Sequence, residues 1–298
     1  MSPDSAPARR RGAGIAWGLV GPVLLLLVAF NVFPLVYNVV LSFTSRELVG
    51  DDWRWVGGAN YERVFTDPLF AGALRRTALF VLCAVGAELV LGFVLALALV
   101  RGFRGKGAVL AVVLVPMMLS PAVMGLFGAL VLNGNYGVLN QILGGLGLPQ
   151  PQWLSDRGLK FWSVVLIDVW MWTPFMTLIA LAGLSSIPAQ VHEAAAIDRA
   201  SRWRVFTRIT LPMTAPLLGL AVLLRATDAL KQFDLVMATT GPNDAATQTL
   251  STLLYQVVFR DGKVGLGAAF ACVVLVVVIA LATVFTRYLE HLRRAREA

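Results

Sequence analysis

The segment Thr77–Val100 reads TALFVLCAVGAELVLGFVLALALV and contains a single charged residue, Glu88. A helix needs about 20 mostly apolar residues to cross the ~30 Å hydrocarbon core of a bilayer. This stretch meets that requirement on length and composition. It therefore predicts a transmembrane helix, and it decides the class of fold to which the chain belongs.

Five further apolar segments extend this pattern along the chain. Of the 298 residues, 58% are apolar and 14% are charged, whereas soluble domains have about 45–50% and about 25%. We expect an all-α, polytopic protein with six transmembrane helices whose solvent is the lipid bilayer, with a disordered N-terminus over 1–13, one transmembrane domain over 14–290 and a tail over 291–298. The further segments are Ile15–Ser42, Gly107–Leu132, Phe161–Leu184, Pro216–Met237 and Gly265–Arg287.

Lysine and arginine flank these segments unevenly. The N-terminus, the loops 101–106 and 199–208 and the C-terminal tail together carry more of them than the opposite loops. Cytoplasmic loops carry the excess of positive charge in membrane proteins. The sequence therefore predicts that both termini and the loop 185–212 are cytoplasmic, and that the net charge of +8 reflects orientation rather than a nucleic-acid partner.

Several classes of chemistry have no support in the sequence. Cys83 and Cys272 both lie inside apolar runs, and His192 and His291 are too far apart in sequence to indicate a metal site. The chain also has no glycine-rich phosphate-binding loop ending in Lys-Ser or Lys-Thr. We therefore expect no cofactor and no catalytic residue, and any ATP must be bound by another chain.

The loop 185–212 reads SSIPAQVHEAAAIDRASRWRVFTRITLP. Its alanines are the strongest helix formers, and apolar residues recur at mostly helical spacing from Trp203 to Leu211. We expect two short helices, each with an apolar side, with Pro212 and Pro216 ending the second before the chain re-enters the membrane. Two interpretations stay open: an amphipathic pair lying at the interface, or a helix that docks into a groove of a soluble protein.

The spacing of nine residues in this loop matches a known motif, Glu-Ala-Ala-x2-Asp-Gly-Ala-x5-Phe-x2-Ile-x-Leu-Pro. The matching residues are Glu193, Ala194, Ala195, Asp198, Ala200, Phe206, Ile209, Leu211 and Pro212. The loop resembles the EAA loop of permease subunits in binding-protein-dependent ABC importers. The resemblance implies that Glu193, Ala194, Ala195, Asp198, Arg199 and Ala200 lie at the contact with an ATPase subunit.

Arg199 departs from this pattern, because the family usually has glycine at that position. Glycine would permit a turn between the two short helices. An arginine argues against a left-handed conformation there, or implies a different bend.

Ionisable side chains also occur inside the predicted spans, where each costs about 2.5–3.5 kcal/mol at the helix centre. They are Glu88, Asp168, Arg225, Asp228, Lys231 and Asp234. The last four lie three residues apart with alternating sign, so neighbouring pairs can meet on a helix. Two interpretations stay open and are compatible: ion pairs that hold helices together, or a polar cavity along a transport path.

Aromatic residues surround Pro174 in the fourth span, and aromatic faces commonly pack against sugar rings. With the charged and aromatic residues that follow in the fifth span, they form the predicted substrate pathway. Its members are Trp170, Trp172, Phe175, Asp228, Lys231, Phe233 and Asp234.

The stretches 231–242 and 246–250 are similar to permeases of carbohydrate importers, which have a Phe-Asp-Leu run, a Thr-Gly-Gly-Gly-Pro turn and an Ala-Thr-x-Thr-Leu run. Here the turn is shortened to Thr240-Gly241-Pro242. The resemblance, from Ile15 to Arg287, is to the maltose and glycerol-3-phosphate importer group.

That resemblance implies a MetI-like fold in the cell membrane, a second homologous permease subunit, two ATP-binding subunits and an extracytoplasmic solute-binding protein. Maltose, trehalose, another oligosaccharide and glycerol-3-phosphate all remain open as the solute. Two other functions are weighed against it: an ion-driven secondary transporter using Asp168, Asp228 and Lys231, and a non-transporting membrane scaffold.

Overall fold

The computed structural model describes residues 19–50 and 53–297, and the predicted disordered segment 1–13 lies outside this range. The described part is helical, with one isolated antiparallel bridge between Thr44 and Trp55. Its helices are α1 Leu19–Ser42, α2 Ala59–Thr66, α3 Pro68–Val100, α4 Lys106–Leu114, α5 Pro121–Val131, α6 Val138–Gly145, α7 Lys160–Ser185, α8 Ala189–Ile197, α9 Arg202–Ala229, α10 Asp234–Thr239, α11 Leu250–Tyr255 and α12 Val264–Glu297.

Five of these helices are long and apolar enough to cross a membrane: α1, α3, α7, α9 and the part of α12 up to Arg287. Helix α1 ends at Ser42 as predicted, α3, α7 and α12 correspond to predicted spans with shifted ends, and α9 overlaps the predicted segment Pro216–Met237. The helix α3 begins at Pro68, nine residues before the apolar run, because Asp67 caps its first turn by accepting a hydrogen bond from the Leu69 amide. Residues 291–297 continue α12 rather than forming a separate segment.

The chain divides into two compact units. The first contains the residues up to Phe65 and Val257–Val273. Within it, the Asn60 side chain donates hydrogen bonds to the backbone oxygens of Ser42 (2.9 Å) and Thr44 (2.8 Å), which fixes the turn after α1. Phe43 also stacks on Trp55.

The second unit contains Thr66–Gln256 and the residues from Val274 onward. Its core is built on α3 and α7, which approach closely at Gly92: a Cβ there would lie 2.5 Å from the Met176 Cβ and 2.9 Å from the Thr177 backbone nitrogen. Helices α5, α9 and α10 complete this core with Met124, Ala221 and Leu235. The absence of a side chain at Gly92 therefore sets the separation of the two central helices.

The prediction of one continuous helix over Gly107–Leu132 is wrong. The segment forms α4, a 3-10 turn at Pro116–Met118, and α5. Prolines at 116 and 121 have no amide hydrogen to donate and restrict the residue before them. Ser120 adopts an extended conformation and accepts a hydrogen bond from the Val123 amide, which starts α5 as a new helix.

The predicted limits of the fifth span, Pro216–Met237, are also wrong. Helix α9 begins at Arg202, continues past Pro212 and Pro216, and ends at Ala229. The π-helical turn Phe206–Thr210 directly precedes Pro212. A widened turn accommodates the ring that otherwise clashes with the carbonyl four residues earlier, so the prolines do not end the helix.

Candidate functional site

Helix α8 presents an exposed face away from the core. Ala195 is buried, while Gln190, Glu193 and Ile197 are exposed. At 100° per residue, these three lie on the side opposite Ala195. Ile197 is 81% exposed, which is unusual for a large apolar side chain in a charged loop. The face therefore combines a carboxylate, an amide and an apolar side chain that are free to meet a partner.

The end of α8 is closed by a Schellman motif, the cap in which two amides return to the last turn. The Arg199 amide donates to the Ala196 oxygen (3.0 Å), and the Ala200 amide donates to the Ala195 oxygen (2.9 Å). Arg199 has φ +50°, so the expectation that arginine opposes a left-handed conformation is wrong. The two hydrogen bonds of the cap offset the cost of placing a side chain in this region.

Phe206 anchors the second half of the loop to the transmembrane helices. Its ring lies 6.0 Å from that of Phe93 and 5.6 Å from that of Trp203. It packs against a buried cluster from α3, α7 and α9 that includes Phe93, Ala180 and Leu218. The second half of the loop is therefore packed against residues of three long helices.

The six predicted coupling residues lie at the end of α8 and in its cap, and they differ in exposure. Glu193, Ala194, Asp198 and Arg199 are exposed, Ala200 is half-buried and Ala195 is buried. A groove of about 590 Å³ runs along this helix between Ala194 and Arg208. Gln190 and Ile197 were not among the predicted residues, although their spacing of three and four residues from Glu193 places them on the same face.

A second site lies inside the helical core, where Arg225 of α9 meets two carboxyl groups. Arg225 Nε is 3.0 Å from Glu88 Oε2 of α3, and its Nη2 donates to Glu88 Oε1 (3.1 Å) and to Asp168 Oδ2 of α7. Glu88 and Asp168 are 0% exposed and Arg225 is 2% exposed. The cluster thus joins three long helices through ionisable groups that are almost completely buried.

The cluster continues toward the segment that precedes α11. The Gln232 side chain donates to Asp168 Oδ1 (2.8 Å), and Thr249 Oγ1 donates to the Gln232 backbone oxygen (2.8 Å). The Leu250 amide in turn donates to Thr77 Oγ1 of α3 (3.0 Å). Gln232 and Thr249 were not predicted site residues, because their role depends on partners far away in the sequence.

The expected ladder of charges in the fifth span is only partly formed. Arg225 Nη1 lies 3.4 Å from Asp228 Oδ2, but α9 ends at Ala229, so Lys231 and Asp234 are not on the same helix. Asp228, Lys231 and Asp234 are exposed around this break. The structure therefore contains both an internal charge cluster and an accessible charged edge.

The predicted aromatic residues lie in three different places. The Arg225 guanidinium lies 4.9 Å from the centre of the Trp172 ring, and Trp172 meets Phe175 edge to face at 6.3 Å. Trp170 is 47% exposed and packs on Phe127, so it is not part of the cluster. Phe233 is half-buried against Tyr255 (5.6 Å).

An ion pair fastens the loop between α10 and α11 to the start of α7. Lys160 Nζ donates to Asp244 Oδ2 at 2.6 Å. Burial alone would raise the pKa of the Asp244 carboxyl, but the hydrogen bonds from Lys160 and the Ala246 amide, with the charges of Lys160 and Arg157, bring the pKa below its ordinary value. The carboxylate is therefore ionised at neutral pH and below.

The family of binding-protein-dependent transport system inner membrane components matches residues 88–295, a range that includes the loop 185–212, Glu88, Asp168 and Arg225. The chain belongs to this family. It is a permease. Members of this family are inner membrane components, which agrees with the five long apolar helices of the described residues.

Curated relatives cover nearly the whole permease. It is 33% identical to the trehalose/maltose transport system permease protein MalF of Thermococcus litoralis, over 93% of this chain and 94% of the relative. It is 34% identical to the trehalose transport system permease protein SugA of Mycobacterium tuberculosis, over 95% of this chain and 90% of the relative. The predicted resemblance to permeases of ABC importers is confirmed.

Solved structures confirm the fold of the permease. A chain of a bacterial ABC transporter involved in the import of alginate matches with a TM-score of 0.82 at 20% identity, covering 94% of this chain and 96% of that one. A chain of the MetNI methionine transporter matches with a TM-score of 0.51 at 13% identity, covering 76% and 99%. The all-helical, MetI-like permease fold follows from these matches and from the family.

Proposed function

We propose that this permease forms half of the translocation pathway of an ATP-driven importer and couples to an ATPase subunit through the loop 185–212. The observation that carries the proposal is the outward face of α8, where Glu193 and Ile197 are exposed on a helix whose far side is packed. The cap at Arg199 and the anchor at Phe206 make this helix a rigid attachment. A rigid helix on three membrane helices suits the transfer of motion from a partner.

The transported solute is a sugar or a sugar-like molecule. Support comes from the names of the relatives, two of which are a trehalose/maltose and a trehalose permease. The edge formed by Asp228, Lys231 and Asp234, next to the half-buried Phe233, offers the polar and aromatic groups that sugar hydroxyls and ring faces require. Trehalose and maltose are therefore the first solutes to test.

The working complex contains a second homologous permease, two ATP-binding subunits and an extracytoplasmic solute-binding protein. The binding protein is supported by a solved alginate ABC transporter, similar in fold, whose structure is a complex with an alginate pentasaccharide-bound periplasmic protein. The other subunits are those that the resemblance to ABC importers implies. ATP is hydrolysed on the ATP-binding subunits and not on this chain. In this proposal the broken segment α4 to α5 is the sixth crossing, and both termini lie on the same side as α8, which the distribution of lysine and arginine indicates to be cytoplasmic.

The mechanism follows from two states of the complex. ATP binding favours the state in which the ATPase subunits are closed, and a ligand shifts an equilibrium only through its differential affinity for the two states. Movement of α8 then shifts α3, α7 and α9 through the cluster around Phe206. The ion-driven alternative has weaker support, because Asp168 is fully buried and paired with Arg225.

ATP-dependent uptake into proteoliposomes tests the proposal. The complex is reconstituted with its binding protein, and uptake of labelled trehalose and maltose is compared with and without ATP. Ala194→Arg places a large charge on the exposed side of α8 and should abolish both uptake and retention of the ATPase subunit. Gly102→Arg is the matched control, because a Cβ at Gly102 meets no atom within 4 Å and the same charge is added to another loop.

Uptake that proceeds without ATP, or an Ala194→Arg complex that transports as well as Gly102→Arg, contradicts the proposal. The first result favours the ion-driven carrier. The second result shows that the exposed side of α8 is not needed for coupling to the ATPase subunit.

A further inference from the structure

The charge cluster around Arg225 contains one more acid than base. Glu88, Asp168 and Arg225 have less than 3% of their surfaces exposed, and if all three were ionised the group would carry one uncompensated negative charge. Asp228, the other carboxylate that faces Arg225, has a side chain 56% exposed and is solvated separately. The imbalance therefore belongs to the two buried carboxyl groups.

An uncompensated charge is costly in this position. Helices α3, α7 and α9 are three of the candidate membrane spans, and the two carboxyl groups lie between them with 0% of their surfaces exposed. Burying an unpaired ion at such a site costs several kcal/mol even after relaxation, and two carboxylates that share one site do not both ionise readily. A bound proton removes this cost without rearranging any side chain.

The contacts around the carboxyl groups agree with a shared proton. Asp168 receives hydrogen bonds from Arg225 and Gln232. Glu88 Oε2 lies near Arg225 Nε, yet neither of these two buried atoms makes a hydrogen bond of good geometry. Arg225 thus has one well-satisfied carboxylate and one carboxyl group whose second oxygen accepts no hydrogen bond.

We propose that Glu88 and Asp168 hold one proton between them, so that the three buried groups form a neutral clamp across α3, α7 and α9. The proton stays with the pair and is not assigned to one oxygen. The clamp holds Arg225 four residues before the end of α9 and, through Asp168, holds Gln232 just after it. Glu88, Asp168 and Arg225 are therefore positioning residues for the break that presents Lys231 and Asp234.

Infrared spectroscopy of the purified full complex tests the proposal independently of solute and ATP. At pH 7.5 exposed carboxyl groups are ionised, so a carbonyl band of a protonated carboxyl that shifts in D2O reports a buried neutral acid. Difference spectra compare the wild type with Glu88→Gln, Asp168→Asn and the control Glu47→Gln, whose carboxyl group is exposed. We expect the band in the wild type and in the control, and its loss in both single amide variants.

Loss of the band in both variants follows because the remaining carboxyl group becomes the only buried counterion of Arg225, the other carboxylate near it being the exposed Asp228. No difference between the wild type and the two variants shows that both carboxylates are ionised and overturns the proposal. A band that persists in either single variant shows that the remaining acid is also neutral, and this result overturns the proposal as well.

Thermal unfolding of the same complexes gives a second readout. Each single amide variant keeps a neutral cluster, so its midpoint should stay within a few degrees of the wild type. The double variant leaves Arg225 buried without either counterion and should lower the midpoint by roughly 10 °C. Adding Arg225→Met to the double variant should bring the midpoint most of the way back to that of the wild type. A double variant that is as stable as the single variants contradicts the clamp.

Discussion

Arg199 closes α8 in a backbone conformation that glycine adopts more easily. Its φ of +50° is unfavourable for a side chain with a Cβ, yet both hydrogen bonds of the Schellman motif are formed. The shape of the loop is thus kept although the glycine typical of the family is replaced. Arginine is not branched at Cβ, so it is less strained here than valine or isoleucine would be.

Substitutions at Arg199 should separate backbone strain from side-chain contact. Arg199→Gly should leave the cap intact or stabilise it by up to about 1 kcal/mol. Glycine removes the backbone strain in the folded state, and this gain is partly offset because glycine also makes the unfolded chain more flexible. Arg199→Val should destabilise the cap by about 1–2 kcal/mol, since β-branched residues disfavour this region. Hydrogen–deuterium exchange of a peptide covering 189–205 measures both.

Faster exchange is expected in Arg199→Val only. If Arg199→Gly loses ATPase retention while its exchange is unchanged, the guanidinium itself makes the contact. Equal exchange in Arg199→Val and the wild type would show that the cap does not depend on this backbone conformation.

At the scale of elements, the packing of α3 on α7 depends on a missing side chain. Gly92→Ala would place a Cβ 2.5 Å from the Met176 Cβ, so the helices must separate, at a cost of about 1–3 kcal/mol. Gly86→Ala on the same helix meets no atom within 4 Å and should stabilise by about 0.5–1 kcal/mol.

We therefore predict that Gly92→Ala lowers the thermal midpoint of the purified complex and that Gly86→Ala raises it. Two midpoints that move in the same direction would mean that the close approach at Gly92 is not a feature of the folded permease.

The stability that the loop after α10 gains from its ion pair should be lost only at acidic pH. The pKa of Asp244 is lowered in the folded state, so its ion pair with Lys160 contributes stability above the unfolded pKa, near 3.8, and loses it as pH falls through the lower folded value. The contribution is under about 1 kcal/mol, because both side chains are partly exposed. Asp244→Asn should therefore lower the midpoint slightly and by a constant amount from pH 8 to pH 5.

Thermal scans of both proteins at several pH values check this expectation. A difference that disappears already between pH 7 and pH 5 would contradict the lowered pKa.

Helix content was predictable where composition alone decides it, and boundaries were not. The apolar runs in α3, α7 and α12 exceed the bilayer requirement, and these helices formed as expected. The breaks at Pro116 and at Ala229 depend on local hydrogen bonding, and the passage of α9 through Pro212 depends on a π-helical turn. A hydropathy pattern contains no information about either effect.

At the scale of the whole molecule, the loop was predictable because its determinants are adjacent in sequence. The positions of Glu193, Asp198 and Phe206 follow from spacing within some twenty residues. For the buried cluster, the sequence predicted only that charged side chains inside the spans need partners. It did not predict which ones, since Arg225 is 137 residues from Glu88 and 57 residues from Asp168. Pairings at such distances are fixed by helix packing, which spacing does not encode.

We propose that this permease functions only within an assembly driven by ATP. Native mass spectrometry of the complex, gently extracted from its own membranes, measures this directly. We predict one copy of this chain, one copy of a related permease and two copies of an ATP-binding subunit. A lone chain, or a homo-oligomer without any ATP-binding subunit after mild extraction, would contradict it.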